Sequence, residues 1–163
     1  DRSPSRGLGD VYKRQNLLIP VKEISNYGGY VMENKELNKK ILDFLSEAGF
    51  FFFATTEDGM PRVRPLLYIE EIKDELIIAI STTKAMAKQI EAKPDFEICA
   101  STQERWLRIK GKAQLVTDKE IIAKAMEHPI VKATYTEETI GAHYLVLDSV
   151  EYFTLTGEYS CWK

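Results

Sequence analysis

The sequence predicts a mainly β domain with short helices, folded as a compact antiparallel barrel. Short apolar runs separated by turn residues follow one another directly along the chain, whereas a doubly wound parallel sheet would alternate strands with helices. A few segments with helical spacing interrupt these runs and are expected to pack on the barrel. The 163 residues, 44% of them hydrophobic, are enough for a single domain with one core.

The first predicted element is an amphipathic helix that begins at Asn34. Its apolar residues recur at helical spacing, namely Leu37, Ile41, Phe44, Leu45 and Ala48. Gly49 ends the helix, because glycine readily adopts the left-handed conformation that follows a last turn. FFFFATT (50–56) then predicts a buried strand by its length and composition, and EDG (57–59) forms a turn.

The next segment, GMPRVRPLLYI (59–69), reads as a strand that carries two cations. Alternation places Arg62 and Arg64 on one face and Val63 on the other. Because Pro65 cannot donate to a sheet ladder, we expect this strand to lie at an edge, at a bulge or at a ligand site.

A turn at KDE (73–75) leads to a second apolar strand, LIIAIS (76–81). TTKAMAKQIEAKP (82–94) then switches to helical spacing, with Met86 and Ile90 facing inward and the final proline ending the helix.

FEICAS (96–101) and RWLRIKGKAQLV (105–116) predict a pair of strands. Gly111 marks a bulge, which we expect to reverse the alternation downstream. Cys99 is expected to be a reduced core residue, since it stands in an apolar run. Three side chains are expected to share one face of the second strand: Trp106, Arg108 and Lys110.

The C-terminal part predicts helices followed by strands. Asp118 caps a short helix, KEIIAKAMEH (119–128), which a proline stops, and a second helical piece spans 129–134. HYLVLD (143–148) and EYFTLT (151–156) close the sequence as two separate strands.

The first 31 residues differ in character from the rest. DRSPSRGLGDVYKRQ (1–15) has neither apolar period and resembles a translated sequencing adapter, and YGGYV (27–31) can be encoded by a ribosome-binding site upstream of Met32. We therefore expect a non-native or disordered leader at 1–31 and the natural domain at 32–163; a genuine N-terminal arm is the alternative. The leader carries five basic and three acidic residues, a net charge of +2. Because the whole chain has a net charge of −3, the domain carries −5.

Charge and composition disfavour several functional classes. A domain charge of −5 argues against a nucleic-acid partner, including the oligonucleotide-binding barrels that this topology could otherwise describe. The two cysteines, Cys99 and Cys161, form no metal-binding pattern, and no apolar run approaches the ~18 residues of a membrane span. We expect a cytoplasmic protein without a metal site or a membrane partner.

AISTTKAM (79–86) is the strongest candidate for a ligand site. An apolar strand ends in three hydroxyl residues and a lysine, Lys84, at the point where a helix begins. Helix N-termini offer unpaired N–H groups and a partial positive potential. Together with hydroxyl groups and a lysine, they form a pocket that can bind an anion. If the neighbouring strands pair, Arg62 or Arg64 can reach the same place.

Each of these features also has a simpler interpretation. The hydroxyl cluster can be ordinary helix capping beside a solvated lysine. Exposed arginines on an edge strand discourage aggregation, and Trp106 can be a subunit contact.

Three segments together resemble the pyridoxamine 5'-phosphate oxidase-like split-barrel flavoproteins, over about residues 37–157. They are EAGFFFFATTEDGMPRVRPLLYI (47–69), ISTTKAMAKQIEAKPDFEICAS (80–101) and RWLRIKGKAQLV (105–116). The resemblance implies an antiparallel split β-barrel that binds FMN between two identical subunits.

By this resemblance, the strand formed by Arg62, Val63, Arg64, Pro65 and Leu66 runs along the flavin, with backbone groups at the ring and arginine at the phosphate. Ile80 and Ser81 continue the ring and ribityl contacts, and Thr83 and Lys84 hold the phosphate. Trp106 contacts the flavin from a position that is glutamine in the true oxidase.

Departures from the oxidase pattern limit the expected activity. Trp106 cannot supply an amide acceptor, and Leu67 stands where the oxidase has a lysine for the substrate phosphate. The C-terminal substrate-binding segment of the oxidase has no counterpart in this chain. We therefore expect an FMN-dependent oxidoreductase that does not oxidise pyridoxamine phosphate.

The expected protein is a homodimer that passes hydride or electrons through FMN, from a nicotinamide donor, to a small molecule that the sequence does not identify. Three alternatives stay open: a non-catalytic module that stores or senses FMN or another phosphorylated ligand, a deazaflavin-dependent reductase, and a haem protein with His143 as axial ligand. The simpler expectation for His143 is a packed, hydrogen-bonded side chain, and for His128 a helix cap or surface group.

Overall fold

The computed structural model describes residues 34–162 of the chain. The leader predicted at 1–31 lies outside these residues. The helices are α1 (Asn34–Ala48), α2 (Ala85–Ala92), α3 (Lys119–Glu127) and α4 (Pro129–Thr134). The strands are β1 (Phe51–Glu57), β2 (Met60–Leu66), β3 (Ile69–Ile72), β4 (Glu75–Ser81), β5 (Asp95–Ser101), β6 (Arg105–Leu115), β7 (Ile140–Thr154) and β8 (Tyr159–Trp162).

All eight strands belong to one antiparallel sheet in the order β2-β1-β5-β6-β7-β4-β3, with β8 added alongside β7. β2 and β3 lie at opposite ends of this order, although only Leu67 and Tyr68 separate them in sequence. Three peptide steps span at most about 11 Å, so the sheet must curl until its two ends meet. No ladder joins β2 to β3 in the described residues, and the barrel is split there. The predicted split barrel is confirmed.

Two hydrophobic clusters fill the inside and one flank of this barrel. The inner cluster joins α1 and α2 to the inward residues of the strands, including Phe53, Ile78 and Ile109. The second cluster packs α3 and α4 against the other side of β3, β4 and β7, around Ile77 and Val131. Among the described residues, no helix is long and apolar enough to cross a membrane.

The predicted helix boundaries are largely confirmed by local contacts. The helix predicted from Asn34 ends at Ala48, and Gly49 has a φ of +82°. The Asp118 side chain accepts a hydrogen bond from the Glu120 N–H at 2.8 Å, which caps α3 as predicted. The piece predicted at 129–134 forms α4, with proline at its start.

Three predictions about the strands were wrong. The two C-terminal strands are one 15-residue strand, β7, and β3 and β8 are additional short strands. β1 is buried on one face only, as the 45% exposure of Phe52 shows, and Phe50, just before the strand, is 48% exposed. Cys99 is exposed rather than in the core, since it pairs with Phe52 across β1 and β5 and lies on the same outer face of the sheet.

The bulge predicted at Gly111 exists, but the extra residue lies in the partner strand. The register shifts between Lys110 and Gly111, where β7 contributes Asp148 as an additional residue. Alternation therefore continues through β6 and reverses in β7 instead. A Cβ at Gly111 would come within 2.1 Å of the Val146 carbonyl oxygen, so the close approach of the two backbones requires glycine.

Candidate functional site

β2 is an edge strand, which is one of the three settings predicted for it, and forms a tight hairpin with β1. Asp58 and Gly59 both have positive φ, as a two-residue primed turn requires. Arg62 pairs with Thr55 and Arg64 with Phe53, which puts both arginines on the inward face of the sheet. Val63 is on the opposite face and is exposed.

The two arginines have different partners. The Nε–H of Arg62 donates to a carboxylate oxygen of Glu57 at 3.0 Å, and both side chains are exposed. Arg64 is half-buried and donates through Nη1 to the Thr55 hydroxyl at 2.6 Å and to the Arg62 carbonyl oxygen at 2.9 Å. Its Nη2 donates to the amide oxygen of Gln89 at 2.6 Å.

Gln89 connects the arginine strand to α2. Its amide oxygen accepts from both the Thr55 hydroxyl, at 2.6 Å, and Arg64. Its amide nitrogen donates to Glu57 at 3.2 Å. Thr55 and Gln89 are buried, at 3% and 5% exposure, so these hydrogen bonds are shielded from water.

Sequence reasoning missed Thr55 and Gln89, although their positions carry a signal. Thr55 continues the inward row of β1 that Phe51 and Phe53 begin. Gln89 is buried beside Ile90 on the inward side of α2, whose other buried residue is Met86. A polar side chain in an inward row has to find a hydrogen-bond partner, and here that partner is an arginine.

Arg64 is a half-buried cation that is bonded to neutral acceptors. Among the described residues, no carboxylate lies within 4.0 Å of its guanidinium, whereas Arg62 has Glu57. Burial lowers the pKa of Arg64, the positive charge of Arg62 lowers it further, and the more distant negative charge of Glu57 opposes the shift only in part. A cation in this setting favours binding of an anion, because the desolvation of its charge is offset only in part by a carboxylate that is not in contact with it.

The hydroxyl cluster forms a tight turn in front of α2. The Ser81 and Thr83 hydroxyls lie 2.8 Å apart, and the Thr83 N–H donates to the Ser81 hydroxyl at 3.3 Å. Lys84 is the N-cap residue of α2 rather than its first helical residue, and its side chain makes no capping bond. Among the described residues, no carboxylate forms an ion pair with the exposed Lys84 ammonium.

The two candidate clusters meet through α2 rather than through adjacent strands. β2 and β4 are not neighbours, so the condition under which the arginines would reach the hydroxyls directly is not met. Arg64 instead contacts Gln89, five residues after Lys84. At 1.5 Å per residue this contact lies about 7.5 Å along the helix from its N-cap. Both clusters therefore lie along one short helix.

The remaining predicted contacts are spread over different surfaces. Ile80 has its side chain in the inner core, so only its backbone is available to a ligand. Leu66 is half-buried against the same core, while Val63 and Pro65 are exposed on the outer face of β2. The structure thus brings Arg64 to α2 but leaves these apolar residues outside that cluster.

Trp106 lies apart from the arginines within one chain. It stacks on Phe153 with ring centres 5.1 Å apart and planes 9° from parallel, on the outer face of the sheet. Arg64 is on the inner face, three strands away, which is roughly 14 Å across the sheet. Within a single chain the two residues do not form one site.

Both histidines make the contacts expected of structural side chains, a packed and hydrogen-bonded His143 and a helix-capping His128. His143 is buried, and its Nδ1 lies 3.1 Å from the Gly141 carbonyl oxygen. Burial lowers the pKa of His143, and the hydrogen bond to Gly141 opposes this shift. His128 accepts from the Ile130 N–H at 3.3 Å and caps α4.

The donors along α2 suit a phosphate ester. Arg64 and Lys84 supply positive charge, and Ser81 and Thr83 supply hydroxyl groups. Phosphate oxygens prefer such charge-assisted and hydroxyl donors. Among the described residues, no group of three His, Cys, Asp or Glu side chains could hold a metal ion.

Comparison with known proteins gives a family and a fold. The model of the pyridoxamine 5'-phosphate oxidase family matches residues 37–156. A search of curated proteins finds no match. A NimC/NimA family protein from Clostridium acetobutylicum is similar at 28% identity and a TM-score of 0.74, with 79% of this chain and 93% of that one covered.

Two more distant solved structures share the fold. One is a pyridoxamine 5'-phosphate oxidase-related, FMN-binding protein from Nostoc punctiforme, at 17% identity and a TM-score of 0.56, covering 76% of this chain and 93% of that one. The other is a heme-binding protein from Mycobacterium smegmatis, at 15% identity and a TM-score of 0.62, covering 80% of this chain and 57% of that one.

Proposed function

Because this chain belongs to the pyridoxamine 5'-phosphate oxidase family, we propose that it binds FMN and acts as an FMN-dependent oxidoreductase. The observation that carries the proposal is Arg64, a half-buried cation without a described carboxylate partner, beside the helix whose first residues form the hydroxyl and lysine cluster. The FMN-binding relative from Nostoc punctiforme supports the choice of flavin.

The phosphate of FMN would be held by Arg64, Ser81, Thr83 and Lys84. The two cations compensate the dianion, and the hydroxyls donate to its remaining oxygens. Arg62 contributes less, because Glu57 already neutralises it. When bound, FMN supplies the hydride chemistry, and the protein supplies position and electrostatics.

The free edge of β2 is suited to contact the flavin ring. Proline has no N–H, so Pro61 and Pro65 fit the alternate positions whose backbone points away from β1. Val63 lies between them and shares this direction. Its N–H is thus the donor that the middle of the edge offers to a ring oxygen or nitrogen.

We also propose that the protein works as a homodimer. The outer face of the sheet carries apolar and aromatic side chains, which a second copy would cover. Phe50, Phe52, Val63 and Tyr159 are exposed, and Trp106 and Phe153 are half-buried. In such a dimer, Trp106 of one subunit would reach the flavin held by the other. This explains how Trp106 can serve a site that it does not reach within its own chain.

The proposed reaction takes electrons from a nicotinamide nucleotide and delivers them to a small molecule. Oxidation of pyridoxamine phosphate itself is disfavoured, because Leu67 offers no charge to a substrate phosphate and is exposed. Both cysteines are free thiols, which agrees with the proposed cytoplasmic location.

The test is to purify the 163-residue chain, record its absorption spectrum and add FMN to any colourless protein. We expect a bound yellow chromophore whose extracted mass is that of FMN, and a dimer by sedimentation. Anaerobic reduction by NADH or NADPH, followed by turnover with an added acceptor, would establish an enzyme. Reduction without turnover would favour the storage or sensing module. A deazaflavin mass or a haem spectrum would show that the cofactor is not FMN. A colourless monomer that does not bind added FMN would contradict the proposal.

A further inference from the structure

The hydrogen bonds of Arg64 occupy one particular part of its guanidinium. This group has five N–H donors, one on Nε and two on each terminal nitrogen. Nη1 uses both of its donors, one toward Thr55 and one toward the Arg62 carbonyl oxygen. Nη2 uses one donor, toward Gln89. Among the described residues, the Nε–H and the second Nη2–H have no partner.

The two acceptors that hold Arg64 form a matched pair. The Thr55 hydroxyl and the Gln89 amide oxygen lie 2.6 Å apart, because the hydroxyl donates to the amide. Each also lies 2.6 Å from one terminal nitrogen of Arg64. Two acceptors at that separation fit the edge that Nη1 and Nη2 share.

The two unused donors are adjacent to each other. By the naming of the guanidinium atoms, Nη2 is the terminal nitrogen on the same side as the Nε–H. With one Nη2 donor directed to Gln89, the other is parallel to the Nε–H. This parallel pair matches two oxygens of a phosphate or carboxylate in the bidentate geometry that arginine favours.

We propose that Thr55 and Gln89 are positioning residues, which fix one edge of the Arg64 guanidinium so that its Nε/Nη2 edge grips an oxyanion in a bidentate manner. The identity of that oxyanion as the FMN phosphate rests on the function proposed above. Thr55 and Gln89 themselves do not touch the ligand. Their effect comes from preorganisation, which removes the entropy cost of orienting Arg64 at the moment of binding.

The first experiment compares FMN with riboflavin, which lacks the phosphate. Flavin fluorescence gives both affinities for wild type, Thr55→Val, Gln89→Met and the conservative Thr55→Ser. We expect Thr55→Val and Gln89→Met to lower the FMN-to-riboflavin affinity ratio about tenfold while riboflavin affinity stays unchanged, and Thr55→Ser to restore the ratio. Thr56→Val, at the next position of β1, is the matched control and should keep the wild-type ratio.

A merely structural role would give a different result. If Thr55→Val and Gln89→Met weaken FMN and riboflavin in parallel, the residues support the fold and do not position Arg64. An unchanged ratio in both variants also contradicts the proposal. Two independent variants are used because one of them can fail to fold, which its amide NMR spectrum reveals.

The second experiment needs no flavin. In a ¹⁵N NMR spectrum of the free wild-type chain, the Nε–H signal of Arg64, assigned by its loss in Arg64→Lys, should shift when inorganic phosphate is added. The Arg64 guanidinium should also give separate Nη proton signals, because its hydrogen bonds hinder rotation. Thr55→Val should return it to the averaged behaviour of exposed arginines. An ordered, phosphate-responsive Arg64 in a protein that ignores FMN would contradict the proposed function but keep this inference. An averaged Arg64 signal in wild type would overturn the inference even if FMN binds.

Discussion

Two half-buried arginines on opposite faces of the same sheet have opposite surroundings. Arg108 of β6 donates from Nε to the Glu151 carboxylate at 2.8 Å, and its guanidinium lies 5.3 Å from the ring centre of Phe153. Arg64 of β2 has only neutral acceptors among the described residues. The hydrogen bond to Glu151 raises the pKa of Arg108, whereas burial lowers the pKa of Arg64.

This difference separates a structural cation from one that can serve a ligand. Arg108 has its counter-charge within the fold, so its pairing is complete in the free protein. Arg64 is held in place by hydrogen bonds, but its charge is only partly compensated by Glu57, so an incoming anion can neutralise it. Two side chains with similar burial therefore contribute to different quantities: Arg108 to the free energy of unfolding and Arg64 to the affinity for an anion.

The largest expected effect comes from Arg64→Met. Loss of a charge-assisted, bidentate contact should weaken FMN binding about 100-fold, equivalent to about 2.7 kcal/mol, with little change for riboflavin. The melting temperature should change little, because removal of a desolvated charge opposes the loss of the hydrogen bonds to Thr55, Gln89 and the Arg62 carbonyl oxygen. Fluorescence titration and a thermal melt measure the two quantities.

Arg108→Met is the matched control on the other side of the comparison. Its FMN-to-riboflavin affinity ratio should equal that of wild type, since Arg108 already has a carboxylate partner. If Arg64→Met and Arg108→Met change this ratio equally, the distinction between the two arginines fails.

A smaller effect on binding is expected from Lys84→Ala. The Lys84 ammonium resembles Arg64 in having no ion-pair partner among the described residues, but it is exposed and flexible. Its loss should weaken FMN about tenfold and leave riboflavin unaffected. Lys88, on the exposed side of the same helix, gives a control for the loss of one positive charge. Equal losses of FMN affinity in Lys84→Ala and Lys88→Ala would indicate a general electrostatic attraction rather than a specific contact with Lys84.

Much of the fold could be predicted because its signals are local. Helical spacing gave α1 and the inward Met86 and Ile90, and the Asp118 cap and the turn residues gave the boundaries. The wrong predictions depended on distant contacts. An apolar run such as FFFF indicates a strand, yet whether its second face is covered depends on what packs there, and Phe52 and Cys99 are exposed in the single chain.

The candidate site shows the same limit. Residue types at a strand end and a helix start predicted an anion pocket, but sequence alone could not tell which of the two arginines lacks a carboxylate in contact. That depends on the Arg62–Glu57 pair and on Gln89, a residue that is adjacent to Arg64 only because α2 packs on the β1–β2 hairpin. The predicted roles of Ile80, Val63 and Trp106 toward a flavin remain predictions.

The stability side of the comparison gives the third prediction. Arg108→Met removes the 2.8 Å partner of Glu151, whose side chain is only 16% exposed, and leaves Lys110 at 3.6 Å as the remaining cation. The free energy of unfolding should fall by about 1–2 kcal/mol, a value reduced by the partial exposure of Arg108. Urea unfolding at neutral pH measures it. Stability equal to wild type would show that Lys110 and water replace Arg108 fully.

The smallest effect is the pH dependence of that loss. Burial raises the pKa of Glu151, but the hydrogen bond and charge of Arg108, with Lys110, outweigh it and hold the pKa below its ordinary value. Such a carboxylate stabilises the fold above its unfolded pKa of about 4.3 and ceases to do so as the pH falls through its folded pKa. The stability gap between wild type and Arg108→Met should therefore be full at pH 7 and narrow below about pH 4.3, by less than about 1 kcal/mol. The pKa of Glu57 is lowered mainly by the hydrogen bonds from Gln89 and Arg62 and least by the charge of Arg64, so the gap for Arg64→Met should change less than the gap for Arg108→Met over this range. A gap that narrows more in Arg64→Met than in Arg108→Met would reverse the assignment of the two arginines.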